Sequence, residues 1–390
     1  MRATGWLVAA ALLLAGCGAP APPTATPVTP AASDPGHSGH TPATTAPASL
    51  TAGTGERIVT VGVPVDFRPE APSGATDEYR CFVVDPGVKG PVSITGAEFV
   101  PGNPAIVHHA ILFAAYPQQV PAAERLDAED PGPGYECFGG SRLPARGGVL
   151  AGLDQSDWIT AWAPGGDATE MPPGYGSRLP AGSRIVIQIH YNLRSEQGVD
   201  NTEVRLRVTG EKRKPLRTML LPAPVELPCA PGETGRLCDR TDAVDDVVSR
   251  FGAGSGATIA GLQLLCGGDP DNPRAGRVQT CDRPVTTATR IFAVAGHMHL
   301  LGREISVTLN PGRPDEKVLL DIPNWDFDKQ GAIPLPKPVR VEPGDELRVR
   351  CEHDPRLRNQ LPALAGTQPR YVVWGEGTTD EMCLAIVLNG

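Results

Sequence analysis

A chain of 390 residues with a formal net charge of -9 is long enough for two domains that each bury a core. It carries no basic excess with which to hold a nucleic acid. Its 45 glycines, 42 prolines and 40% apolar share exclude a protein built of long helices and predict many short strands and turns.

Residues 1–17 read as a lipoprotein export signal. Arg2 gives the positive start, Leu7 to Leu14 the apolar core, and Leu14-Ala15-Gly16-Cys17 a lipobox whose Cys17 would carry the lipid. The apolar run is too short to cross a bilayer as a mature helix. The expected location is extracytoplasmic, with the chain anchored through lipid to a bacterial membrane on its periplasmic or cell-surface side. Residues 18–55, rich in Ala, Pro, Thr and Ser, predict a disordered linker. His37 and His40 within it read as solvated tail histidines.

From Arg57 the chain alternates β-rich runs with Gly/Pro turns: Arg57 to Val63, Tyr79 to Val84, Val92 to Val100, Ile106 to Phe113, Trp158 to Trp162, Arg184 to Asn192 and Thr202 to Val208. A second series, near Thr286 to Val294, Glu304 to Leu309, Val318 to Ile322, Glu346 to Glu352, Tyr371 to Trp374 and Cys383 to Leu388, follows Lys212-Arg213-Lys214-Pro215. The expectation is an all-β fold of two antiparallel jelly-roll or sandwich domains, 56–211 and 212–390. Residues 229–285 carry four cysteines and one helix, Asp242 to Phe251, and read as a disulfide-stapled insertion. Apart from Cys17 there are eight cysteines, an even number in an exported chain, which predicts four bridges and leaves 105 pairings open.

Five of the eight histidines lie in three short apolar runs: His108 and His109 in V-H-H-A-I-L-F, His190 in Q-I-H-Y-N, and His297 and His299 in A-G-H-M-H-L-L-G. Met382 in T-T-D-E-M-C joins them. Imidazole with a thioether suits copper moving between its two oxidation states, because sulfur favours the cuprous ion and nitrogen serves both. Residues two apart on a strand share a face, so His297 and His299 can reach one ion. Neighbours such as His108 and His109 point to opposite faces unless the strand ends, bulges or twists there. His190 shares a strand face with Gln188 and is placed to supply a third ligand to that pair; Met382 by itself reads as core filler. His353, among charged neighbours, reads as a polar loop residue, and Asp154, Asp157, Glu376 and Asp380 are given no role.

Taken in order, the H-H, H-Y, H-x-H and E-M-C segments, with I-T-A-W-A-P-G-G upstream of Q-I-H-Y-N, resemble the copper type II, ascorbate-dependent monooxygenases over about residues 57–390. The resemblance implies two jelly-roll domains facing each other across a solvent-filled cleft. His108, His109 and His190 would bind an electron-transfer copper, and His297, His299 and Met382 a copper that activates oxygen. It further implies two copper ions per chain, O2 and ascorbate or a similar reductant as co-substrates, hydroxylation of a C–H bond in a small molecule, and bridges Cys81–Cys137 and Cys351–Cys383. Cys266–Cys281 and Cys229–Cys238 complete the expected set. Peptide-processing members hold their substrate's carboxylate with an arginine and a tyrosine; the matching positions here are Ala295 and Ile386. With Leu384 they form a candidate apolar pocket. A non-catalytic copper-binding or copper-delivery lipoprotein on the same scaffold is the alternative.

Overall fold

Alternating apolar and polar residues produce the strands of the sequence reading almost where it sets them, in a computed structural model that describes residues 49–390 except 73–75, 148, 164, 165, 167 and 195. The export signal, Cys17, His37, His40 and most of the linker lie outside the described residues. The end of the linker departs from expectation. Leu50 is buried, and its backbone N–H donates to Glu98 at 3.0 Å.

In one sheet Glu56–Gly62, Glu203–Thr209, Val92–Val100 and Tyr175–Leu179 lie side by side. In a second the order is Tyr135–Glu136, Asp77–Val84, Arg184–Asn192, Val107–Ala115 and Trp158–Trp162. The middle strand, Arg184–Asn192, is covered on both faces: Ile187 and Ile189 enter the core between the sheets, while Gln188 and His190 are buried on the other side. The polar face that Gln188 and His190 share is therefore closed over.

The later strands build further antiparallel sheets. One orders Arg217–Pro222, Leu384–Asn389, Thr289–His297 and Ile333–Val341; another orders Val278–Pro284, Glu346–His353, Gly302–Leu309 and Lys317–Ile322. Ile333–Val341, with Pro334, Pro336 and Pro338, is an edge strand, the position where missing N–H donors cost least. The 229–285 insertion holds two helices where one was expected. Arg240–Phe251 starts at an Asp239 cap whose side chain accepts from Thr241 and Asp242 backbone N–H groups, and Ala253–Leu265 follows it.

The described residues of the two strand series pack against each other. Phe292 and Leu388 press on the first core, the Tyr175 and Phe292 rings lie 4.7 Å apart, and Arg283 bonds Asp154 at 2.7 Å. All four expected disulfides are present: Cys81–Cys137, Cys229–Cys238, Cys266–Cys281 and Cys351–Cys383. Such bridges mark a protein that matures in an oxidising compartment outside the cytoplasm. Among the described residues no helix is long and apolar enough to cross a membrane.

Candidate metal centre

Register explains how adjacent histidines come to one point. Val107 pairs with Tyr191 but His109 pairs with His190, so His108 is the extra residue of a β-bulge and the backbone turns both rings the same way. The Nδ1 atoms of His108 and His109 are 3.2 Å apart, those of His108 and His190 3.3 Å, and those of His109 and His190 3.2 Å. Three ring nitrogens at these separations cannot all be satisfied by one another. A tetrahedral ion with bonds of ~2.0 Å to nitrogen sets its ligand atoms about 3.3 Å apart, so the triangle fits one.

The opposite nitrogen of His190, Nε2, lies 2.8 Å from Asp77 Oδ1. An N–H donated there leaves the Nδ1 lone pair aimed into the triangle, the outer-shell arrangement usual for metal-bound imidazole. Burial pushes the Asp77 carboxyl up, yet the hydrogen bond and charge of His190 and the Thr378 and Thr76 hydroxyls together hold it well below the ordinary carboxylate range. Tyr79 stacks on His190 with ring centres 4.1 Å apart.

The second set is assembled differently. His297 is the last residue of its strand, and His299 lies in the turn beyond it. That turn hangs on Glu381, fully buried, whose two carboxylate oxygens accept the backbone N–H groups of His299 at 2.9 Å and Leu301 at 2.5 Å. His299 Nδ1 sits 3.2 Å from the Asp380 carbonyl, leaving Nε2 for another partner. The strand pairing ends at His297 with Leu384, and Met382 directly follows Asp380 and Glu381, both of which His299 contacts. Met382 is 6% exposed and lies in the core of the second strand series. Asp380 is tied to the insertion by Arg250, at 2.7 and 2.8 Å.

The implied solvent-filled cleft does not separate the two sets. The rings of His109 and His297 are 6.0 Å apart, and Phe327 stacks on His108 at 4.6 Å while standing edge-on to His299 at 6.2 Å. Phe327 belongs to a loop that touches three of these histidines. Trp325 Nε1 donates to the His299 carbonyl at 3.1 Å, and Gln330 Oε1 is 2.5 Å from His297 Nδ1. Gly302 permits this approach, since a Cβ there would lie 2.8 Å from both Trp325 and Met298. Ala295 pairs with Ile386 and His297 with Leu384, so these four share one sheet face, which Leu220 extends. Both faces are covered: Ala295 and Leu384 are buried, as are Val294, Ala385 and Val387 behind them, and Ile386 is half-buried against the same core.

Burial, reinforced by neighbouring imidazoles, holds His108 and His109 well below the usual histidine range and brings His297 down to about 3; burial also lowers His299. These rings are neutral near pH 7 and present lone pairs, as metal binding requires.

His353 departs from its reading as a loop residue. It ends the strand Glu346–His353, is fully buried, and places Nε2 3.3 Å from Glu381 Oε2 and 3.2 Å from the Met382 carbonyl. Burial raises the Glu381 carboxyl, but the His353 contact and the His299 N–H outweigh it and keep the group ionised. Asp77, Glu381, Trp325, Phe327 and Gln330 were not singled out from the sequence. Asp380, given no role there, accepts Arg250 and the Gly377 N–H, and Asp154 anchors Arg283.

Residues 277–388 match the family model described as copper type II ascorbate-dependent monooxygenase, C-terminal domain. The human protein named DBH-like monooxygenase protein 1 is 23% identical over 293 residues, covering 74% of this chain and 40% of the relative. Peptidyl-glycine alpha-amidating monooxygenase A of Xenopus laevis is 27% identical over 238 residues, covering 59% and 20%. The chain thus spans less than half the length of these curated relatives. An allantoicase structure overlaps 76% of this chain and 86% of its own at 11% identity, with a TM-score of 0.17 that bears no weight. The ordered histidine and methionine motifs, the family model over the segment that carries His297, His299 and Met382, and these relatives support the copper type II ascorbate-dependent monooxygenase family for this chain.

Proposed function

We propose that this chain is a copper-dependent monooxygenase that uses O2 and an external reductant such as ascorbate to hydroxylate a C–H bond of a small, apolar substrate. The observation that carries the reading is the triangle of three imidazole nitrogens, 3.2 to 3.3 Å on each side, buried against the His297 ring. In this reading His108, His109 and His190 hold one copper that passes electrons, and His297, His299 and Met382 hold a second where oxygen is used, giving two ions per chain. Copper supplies one-electron chemistry at both places, with the thioether favouring the cuprous state.

The protein's own part is positioning and exclusion of water. Asp77 orients His190, and Glu381 fixes the turn that carries His299. Ala295, Leu384 and Ile386, on the face shared with His297, offer apolar contact and no charge, so a substrate carrying a carboxylate finds no partner at those positions. Catalysis of this kind needs no side-chain base. Outside the cell membrane the chain would be held by lipid on Cys17.

Reductant-dependent oxygen consumption with a candidate substrate, followed by mass analysis of the product, tests the proposal. Copper-loaded protein is expected to yield a product heavier by one oxygen atom, and Met382→Ala to yield none. Equal turnover by the variant would remove Met382 from its assigned place.

A further inference from the structure

Asp77 touches more than His190. The same Oδ1 that faces His190 Nε2 at 2.8 Å accepts the Thr378 hydroxyl at 2.7 Å, while Oδ2 accepts Thr76 Oγ1 at 2.9 Å. Thr378 belongs to the loop that leads into Met382. A second contact follows the same route. Tyr79, two residues along Asp77's strand, stacks on His190 and donates its hydroxyl to the Glu376 carbonyl of that loop at 2.8 Å. Two side chains of one strand therefore each touch both a ligand of the first set and the loop of the second. Asp77, Thr378 and His190 are all buried.

We propose that the Thr378 hydroxyl is a positioning group through which the methionine loop sets the reduction potential of the three-histidine copper. The inference rests on the reading that His108, His109 and His190 hold that copper. The physical argument concerns one oxygen atom with two donors. Negative charge on Asp77 Oδ1 makes the His190 ring a stronger electron donor through its N–H, and a stronger donor favours the cupric over the cuprous state. The Thr378 hydroxyl draws part of that charge to itself. In a buried, low-dielectric setting neither bond is screened by water, so the division of charge between them is felt at the metal. Movement of the methionine loop that lengthens the Thr378 bond returns charge to His190 and lowers the potential. Shortening it does the reverse. Occupancy at Met382 is in this way read at His190 without any ligand shared between the two sets.

The test is a redox titration of the copper electron-paramagnetic-resonance signal in the full chain, in a His299→Ala background that confines copper to the three-histidine set. Thr378→Val keeps the side-chain shape and removes the donor; it is expected to shift the midpoint potential downward. Thr378→Ser restores the donor and is expected to restore the potential. Asp77→Asn, a weaker acceptor for both donors, is expected to shift it upward and to loosen copper 10–100-fold. A potential unchanged in Thr378→Val, or lowered equally in Thr378→Ser, would overturn the link, the second outcome assigning the effect to loop packing. The readout needs no turnover. A shifted potential in a protein that forms no product sinks the monooxygenase reading alone, and a hydroxylating protein whose potential ignores Thr378→Val sinks the link alone.

Discussion

The two proposed ligand sets are built by different means. His108, His109 and His190 stand on neighbouring strands of one sheet, and a bulge plus the register of the pairing brings their nitrogens together. His299 and Met382 stand at a turn and a loop that no ladder fixes, and a buried carboxylate, Glu381, does the work of register by holding two backbone N–H groups. A set carried by strands is rigid because the whole sheet would have to slip to move it. A set hung on one side chain can be loosened by a single substitution. The difference suits their proposed tasks, since an electron relay gains from fixed geometry and a site that admits oxygen and substrate needs some give.

The largest test of that contrast is His190→Ala. It should remove copper from the first set while leaving the second able to bind, with a loss of turnover greater than the 10–100-fold typical for an outer-shell partner. Metal analysis that still finds the parental copper content would break the assignment. Next comes Glu381→Ala, which strands buried donors of His299, Leu301 and His353. A stability loss of about 3–5 kcal/mol in urea denaturation is expected, together with weaker copper at the second set only. Equal weakening at both sets would mean that the carboxylate supports the whole centre and the two are not built separately.

Acid should expose the imidazoles common to both sets. In the metal-free protein the folded-state values of His108, His109, His297 and His299 lie below the unfolded histidine value of about 6.5. The unfolded chain therefore binds more protons, and stability, full above that value, falls as pH drops from about 6.5 toward the folded value of about 3 for His297. Thermal midpoints that stay flat between pH 7 and pH 4 in the presence of a chelator would contradict the burial of these rings. The smallest effect is expected from Trp325→Phe. It deletes the bond to the His299 carbonyl for about 1 kcal/mol and should broaden the copper spectrum of the second set alone.

Much of this was legible in the chain itself. Strands such as Val92–Val100 and Arg184–Asn192 follow from alternation and turn residues, and the cluster of His108, His109 and His190 from histidines in apolar runs. What escaped has physical reasons. A period-two pattern cannot reveal the bulge at His108, because the extra residue leaves no mark in composition. His353 looked solvated because Arg350, Glu352 and Asp354 surround it, yet the period beginning at Leu347 puts Val349, Cys351 and His353 on one inward face. That signal was available. Glu381 looked like part of a methionine motif, and only the fold shows what its carboxylate meets. The helix Ala253–Leu265 was missed because Gly254, Gly256 and Gly261 lower its propensity, and packing of Ile259 and Leu262 overrides them. The proximity of the sets depends on how the strand series dock, which local sequence does not encode.

The Arg250–Asp380 pair bears on how the protein matures. Arg250 lies at the end of a helix flanked by the Cys229–Cys238 and Cys266–Cys281 bridges, and its guanidinium fastens the residue two places before Met382. The thioether should thus be presented to metal only after the insertion has folded and oxidised. Copper uptake at that point would act as an inspection step, passing chains whose disulfides are correctly made and leaving the others without a finished centre.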